Sequence, residues 1–201
     1  MKKVMLLTAL VSVIITAQAQ ESTPAISFGV KAGLNLANIH SKVMDDSESG
    51  DFKAGFHAGV FARFAVAPAV AFQPELLFSM DGAKDSEDDE EATLNFNYIH
   101  LPLMLQFGSE FGFYAEVGPG LAYLMSAKAK TEILGEELEE DWKDDMEKLN
   151  ITGNVGVGYA LQNGFGVGVR YSHGFSNLLK DGDEDVKLQT RTIQLSIFKR
   201  F

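Results

Sequence analysis

Eight stretches of this chain alternate, residue by residue, between bulky apolar side chains and small or polar ones. They run over about 26–38, 52–65, 70–83, 93–107, 111–127, 149–161, 165–175 and 188–201. In the seventh, Phe165, Val167, Val169, Tyr171 and Phe175 share one parity, against Gly166, Gly168, Arg170, Ser172 and Gly174. In the last, Ile193, Leu195, Ile197 and Phe201 oppose Thr190, Thr192, Gln194 and Ser196. A period of two held over ten or more residues is that of a β-strand, whose successive side chains leave opposite faces. Glycine this frequent argues against helix.

The connections between the stretches alternate as well. Val66-Ala67-Pro68-Ala69, Gly108-Ser109-Glu110 and Gln162-Asn163-Gly164 are short. The other four, about 39–51, 84–92, 128–148 and 176–187, are long and hold 23 of the 28 acidic residues but only 8 of the 17 basic ones. All four fall at the same end of an up-and-down meander. Eight antiparallel strands joined this way can close into a barrel, which removes exposed edges.

Two barrels compete. A soluble lipocalin-like barrel keeps its apolar parity inside around a ligand, whereas a membrane barrel puts that parity outside, with aromatic girdles and a polar interior. Here the polar parity is crowded with glycine and carries Lys31, His57, Arg63, Gln73, Glu75, Glu116, Arg170 and Gln194. The apolar parity carries Phe28, Phe56, Phe64, Phe72, Phe78, Phe107, Phe113 and Phe165, several of them beside the short turns. This favours an eight-stranded antiparallel up-and-down transmembrane β-barrel, with short turns in the periplasm and long acidic loops outside. Both chain ends then lie with the short turns.

The first residues agree with export. Lys2 and Lys3 precede an apolar run from Val4 to Ile15, and Ala17-Gln18-Ala19 places small residues where a signal peptidase reads. The expected division is a signal peptide over 1–19 and a barrel over 20–201. The apolar run is too short for a transmembrane helix, and no cysteine follows it to carry a lipid. The chain has no cysteine at all and a net charge of −11. These features exclude disulfide scaffolds and thiolate chemistry, and a nucleic-acid partner is not expected. The expected location is the bacterial outer membrane, with its lipid and the barrel-assembly machinery as partners. Phe201, a terminal aromatic closing an alternating strand, looks like the assembly signal of such barrels. Lys199 interrupts the apolar parity, as a lysine snorkelling to the interface would.

Several segments carry a resemblance. Phe28-Gly29-Val30-Lys31-Ala32-Gly33-Leu34-Asn35, Gly55-Phe56-His57-Ala58-Gly59-Val60, Phe72-Gln73-Pro74-Glu75-Leu76-Leu77-Phe78, Tyr98-Ile99-His100-Leu101-Pro102-Leu103 and Tyr114-Ala115-Glu116-Val117-Gly118-Pro119-Gly120 occur in that order. Together they resemble the Bacteroidetes-type outer-membrane β-barrel domain, called porin-family or PorT-like. The resemblance implies a small barrel similar in architecture to OmpA/OmpX-type proteins, and no definite activity.

In a narrow interior, Lys31, Arg63, Glu75, Glu116 and Arg170 would be costly unless paired, so a charge-assisted network among them is expected. Arg170 and Glu116 lie two strands apart and face the same lumen. Such a network reads as a plug, or alternatively as a gate whose ion pairs re-partner to open a narrow pore. His40, His57, His100 and His173 lack the close spacing of a metal site, and Ser172-His173 point to opposite faces of one strand. No cofactor and no catalytic role are expected; a lipid-modifying enzyme is the weakest alternative. Asp181, Asp183 and Asp185 resemble a calcium loop, but Val186 stands at the loop-glycine position and Thr192 at the terminal glutamate. Pro119 between two glycines predicts a bulge or bend.

One long connection, 128–148, allows two readings. Leu134, Leu138, Trp142 and Met146 recur every four residues, with Glu139/Lys143 and Asp144/Lys148 as supportive pairs, which suits a helix presenting a contact stripe to a partner. An extended hairpin prolonging the fifth and sixth strands suits the same residues.

Overall fold

The protein is described by a computed structural model covering residues 26–43, 46–87, 90–109, 111–133, 136–144, 146–180 and 186–201. It is all β: β1 (Ile26–Val43), β2 (Asp46–Ser49), β3 (Lys53–Ala67), β4 (Val70–Glu87), β5 (Glu90–Gly108), β6 (Phe113–Ile133), β7 (Glu136–Asp141), β8 (Leu149–Ala160), β9 (Phe165–Gly174) and β10 (Val186–Arg200). Eight of these form the barrel, in the order β1-β3-β4-β5-β6-β8-β9-β10, with every neighbouring pair antiparallel. β10 returns to β1 in a ladder from Gly29↔Arg200 to Val43↔Val186, which closes the cylinder. The eight alternating stretches of the sequence are these eight strands.

The short connections are tight turns. Two of them place glycine at positive φ, Gly112 at 92° and Gly164 at 86°. There the chain must reverse within reach of the Ser109 N–H to Phe113 O bond of 2.7 Å and the Leu161 N–H to Phe165 O bond of 2.7 Å, a conformation that costs glycine little. At the opposite end, three of the four expected loops are largely strand. β1 runs on to Val43 and folds back as β2, β4 and β5 stay paired to Glu87↔Glu90, and β6 pairs with β7 from Lys128↔Asp141 to Ile133↔Glu136. Acidic residues are poor strand formers, which hid these extensions, yet a paired ladder satisfies backbone groups whatever its side chains carry.

The hairpin reading of 128–148 is therefore the correct one, and no helical stripe joins Leu138 to Trp142. Leu134 and the side chain of Leu138 lie outside the described residues, as do the signal segment 1–19 and Asp181, Asp183 and Asp185.

Side-chain alternation faces the way expected. Leu34, Val60, Leu101, Val117, Ile151, Val157, Val167 and Ile197 are exposed on the outer wall. Phe28, Phe56, Phe107, Phe113 and Phe165 are exposed with them, and Phe113 packs on Tyr159 with ring centroids 4.7 Å apart beside a short turn. Glycine on the inner parity makes room for inner rings. A Cβ at Gly29 would strike the Phe61 ring, one at Gly158 the Tyr114 ring, and one at Gly166 the Phe198 ring.

The bulge is not where Pro119 suggested. Register is constant from Pro102↔Gly120 to Gly108↔Tyr114 on one side and across Pro119↔Gly153 on the other. Pro119 lies on the exposed parity. The shift falls instead between Asn97 and Tyr98, where Met125 of β6 is the extra residue. Beyond it the inner parity of β6 changes, so that Leu124 and Ala127 are both buried.

Candidate functional site: the layered lumen

The interior is filled in tiers, because each barrel strand delivers every second side chain to it. The central tier is ionic. Arg170 on β9 donates from Nη1 to Glu75 Oε2 at 2.8 Å and from Nη2 to Glu75 Oε1 at 2.9 Å. The same guanidinium meets Glu116 Oε1 on β6, from Nε at 2.8 Å and from Nη2 at 2.7 Å. Lys31 Nζ on β1 donates to Glu75 Oε1 at 2.6 Å. β9 and β4 stand four places apart around the ring of eight, so the Arg170–Glu75 pair crosses the full diameter. All four side chains are at most 5% exposed. Two cations against two carboxylates leave the tier neutral, and bidentate, charge-assisted bonds offset the cost of taking these ions out of water.

Two glutamines complete it. Gln73 Nε2 donates to Glu75 Oε1 at 2.8 Å, and Gln106 Nε2 donates to Glu116 Oε2 at 3.1 Å. Arg63, expected among the ion pairs, stands one tier nearer the short turns. It reaches the network only through Gln106, donating from Nε to Oε1 at 3.3 Å. The reason is register: on β3 the inward series toward the long hairpins runs Arg63, Phe61, Gly59, His57, and the level of Glu75 falls at Phe61.

Toward the long hairpins the next tier is polar, with Asp81 as a carboxylate within it. His57 Nδ1 lies 2.7 Å from Asn35 Oδ1, which only accepts, so Nδ1 carries the proton, and Nε2 faces Ser196 Oγ at 2.9 Å. Asn35 Nδ2 donates to Ser79 Oγ at 2.9 Å and to Asp81 Oδ1 at 3.1 Å. His100 Nε2 meets Thr152 Oγ1 at 3.0 Å. Both lumen histidines are thus hydrogen-bonding members of the packing, as their parity implied. His173 lies on the outer face of β9, edge-on to Phe175 with ring centroids 4.9 Å apart, away from Ser172. Among the described residues no cluster of three His, Asp or Glu side chains could hold a metal.

Above this tier the lumen ends in an apolar cap. Ile39, Ala83, Phe96, Tyr98, Ala122, Leu124, Ala127, Met146 and Leu178 form one buried cluster. Met146 and Leu178 come from the connections rather than the barrel strands, and a bridge between Met146 and Leu179 brings them together. Met146 is thus not part of an outward stripe. Trp142 sits at the foot of the β6–β7 hairpin, half exposed, with its backbone N–H on Ala127 O at 3.0 Å and its indole N–H on Glu140 Oε2 at 3.1 Å. Parity alone marks Phe96 and Tyr98 as inward, since they share the parity of His100; Leu178 carries no such signal.

At the outer surface, Lys199 turns its ammonium to Asn163 O at 2.6 Å, over the Phe165 ring at 4.3 Å from its centroid. Phe201 is exposed, and its N–H continues the β1 ladder on Phe28 O at 2.8 Å.

The sequence matches the family model described as outer membrane protein beta-barrel domain over residues 17–180. Among curated protein sequences none matches. Of solved structures, Neisserial surface protein A is 13% identical, with 88% of this chain and 99% of that chain covered and a TM-score of 0.51. Ail, the attachment invasion locus protein of Yersinia pestis, is 15% identical over 87% and 98% of the two chains, with a TM-score of 0.48. The N-terminal β-barrel domain of Pseudomonas aeruginosa OprF is 13% identical over 86% and 97%, with a TM-score of 0.40. The sequence match covers most of the closed barrel, and the chain belongs to the outer membrane protein beta-barrel domain family, as a small eight-stranded barrel of the bacterial outer membrane.

Proposed function

We propose that this is a non-catalytic barrel with an occluded lumen, acting as a structural or surface-interaction protein through its acidic outer hairpins. The observation that carries the reading is Arg170, whose guanidinium spans the lumen between Glu75 and Glu116 with Lys31 behind them. An eight-stranded barrel is just wide enough for side chains to fill. In this reading the short turns face the periplasm and the long hairpins the exterior. Residues 1–19 are removed as a signal peptide, Phe201 marks the chain for the assembly machinery, and the protein sits with the Bacteroidetes-type, PorT-like barrels. The outer rim carries most of the acidic residues, which attract cations or basic surfaces, and Trp142 is a half-exposed aromatic contact on it.

Planar-bilayer recording tests the occlusion. The folded protein is expected to give no stable unitary conductance, and a large, stable conductance overturns the reading. Photocrosslinking from position 142 on intact cells tests the rim: a reproducible partner supports an interaction role. No crosslinks, together with an unchanged envelope after deletion of residues 132–147, would leave structure alone.

One observation favours a second reading, a narrow gated pore. Glu75 is held by Lys31 as well as by Arg170, so Arg170 can withdraw toward Glu116 without stranding a buried carboxylate. Rare conductance bursts in the wild type that become continuous in Arg170→Ala would support it.

A further inference from the structure

Below the ionic tier, at the short-turn end, the lumen opens into a cavity of about 820 Å³. Two guanidiniums line it, those of Arg63 and Arg200. Their strands flank β1, with Ser27 opposite Arg63 and Gly29 opposite Arg200, so both charges enter the cavity from one side. The carboxylates of the adjoining ionic tier, Glu75 and Glu116, are bound to Arg170 and Lys31. Among the described residues neither Arg63 nor Arg200 has an acidic partner. One part of the wall is aromatic, where Phe61, Tyr114 and Phe198 meet, with Phe198 6.0 Å from Phe61 and 6.2 Å from Tyr114 between ring centroids, and Gln73, Gln106 and Asn163 make another part polar.

We propose that this vestibule is a binding site for a small anionic molecule, one carrying a carboxylate or a phosphate monoester on an apolar or ring-shaped body. Gln106 accepts from Arg63 Nε and is itself anchored on Glu116. That arrangement orients Arg63 and leaves its two terminal amino groups as a fork, the geometry suited to an oxyanion. Arg200 adds a second charge, and like charges sharing one cavity are relieved by an anion between them. The aromatic wall provides burial for the rest of the ligand. The ionic tier closes the inner end, which makes the cavity a blind pocket open to the short-turn side, the periplasmic face in barrels of this family. The source is a periplasmic solute, since both arginines point inward, away from the lipid.

The test uses the full chain folded in a neutral maltoside detergent. Phenyl phosphate and benzoate serve as probes, benzyl alcohol as the uncharged control, and binding is followed by calorimetry. Both anions are expected to bind saturably, with the tighter one naming the source as phosphate ester or carboxylate. The alcohol is not expected to bind. Arg63→Gln/Arg200→Gln should weaken anion binding about tenfold or more, the scale of a lost charge-assisted hydrogen bond. Heat-modifiable gel migration checks that this variant has folded; if it has not, the two single variants carry the test, each expected to weaken binding severalfold. Absence of saturable binding to either anion, or equal affinity in the folded variants, overturns the proposal. Conductance is a separate readout, so a barrel that conducts would refute the plug and leave this site standing.

Discussion

The lumen is closed twice, by opposite chemistries. Its middle is shut by ions, Arg170 and Lys31 against Glu75 and Glu116, and its long-hairpin end by a dry cluster around Phe96, Leu124, Met146 and Leu178. The ionic closure is made of four strands and depends on distances near 2.8 Å. The apolar closure draws on the connections as well, and depends on area removed from water. One is directional and intolerant of losing a partner, the other graded and able to relax. The difference says which part of the molecule sets a unique barrel geometry and which part merely covers its mouth.

The largest expected effect breaks the ionic side. Arg170→Ala leaves Glu75 and Glu116 buried with Lys31 as their only ion-pair partner among the described residues, and should cost about 3–5 kcal/mol, the scale for a buried pair broken by removing one member. Urea titration of the folded barrel in vesicles measures this, and a cost under about 1 kcal/mol would mean that the tier contributes little to stability. If the cap alone suffices to occlude, the same variant stays electrically silent in a bilayer, which separates the two closures directly.

Met146→Ala probes the cap. A buried methionine truncated to alanine costs about 2–3 kcal/mol, at the lower part of its usual range because the mouth can collapse around the gap. In this variant the ionic tier should persist, so its conductance should also stay at baseline, while Arg170→Ala/Met146→Ala should conduct. A silent double variant would show that the polar tier around Asn35, His57 and His100 is a third closure in its own right.

A smaller effect tests the narrowness that both closures require. Gly158→Ala pushes a methyl into the Tyr114 ring, which should cost about 1–2 kcal/mol as overpacking. The smallest lies outside the lumen altogether: Lys199→Ala removes an ammonium over Phe165, worth about 0.5–1 kcal/mol at an exposed rim. A loss above about 3 kcal/mol there would place the rim contact above the cap in importance.

Much of the ionic side is legible in the amino-acid order alone. Lys31, Glu116 and Arg170 stand on the glycine-rich parity of their strands, Glu75 stands on the parity opposite the bulky Phe72, Leu76 and Phe78, and a period of two assigns each parity to one face without reference to neighbours. Arg63 shares the parity yet misses the ion pairs, because parity says inward and not at what height. Height follows from the stagger between strands, which places Phe61 opposite Glu75. The cap is less legible still. Met146 and Leu178 lie in connections with no sustained alternation, and the spacing of Leu134, Leu138, Trp142 and Met146 fits a helix as well as a strand. The bulge at Met125 then reverses the parity of β6, so a reading carried through from Tyr114 fails at Ala127.

Eight strands, the face of each that meets lipid, and the end that carries the long acidic connections all follow from the chain's local pattern. Alternation and glycine placement are properties that each strand carries alone. The diametric reach of Arg170 to Glu75, the vestibule around Arg63 and Arg200, and the meeting of Met146 with Leu178 arise only in the closed barrel. Those contacts join residues 32 to 137 positions apart, and what brings them together is the register of the closed ladder. Register depends on every strand pair around the ring at once, and no single segment encodes it.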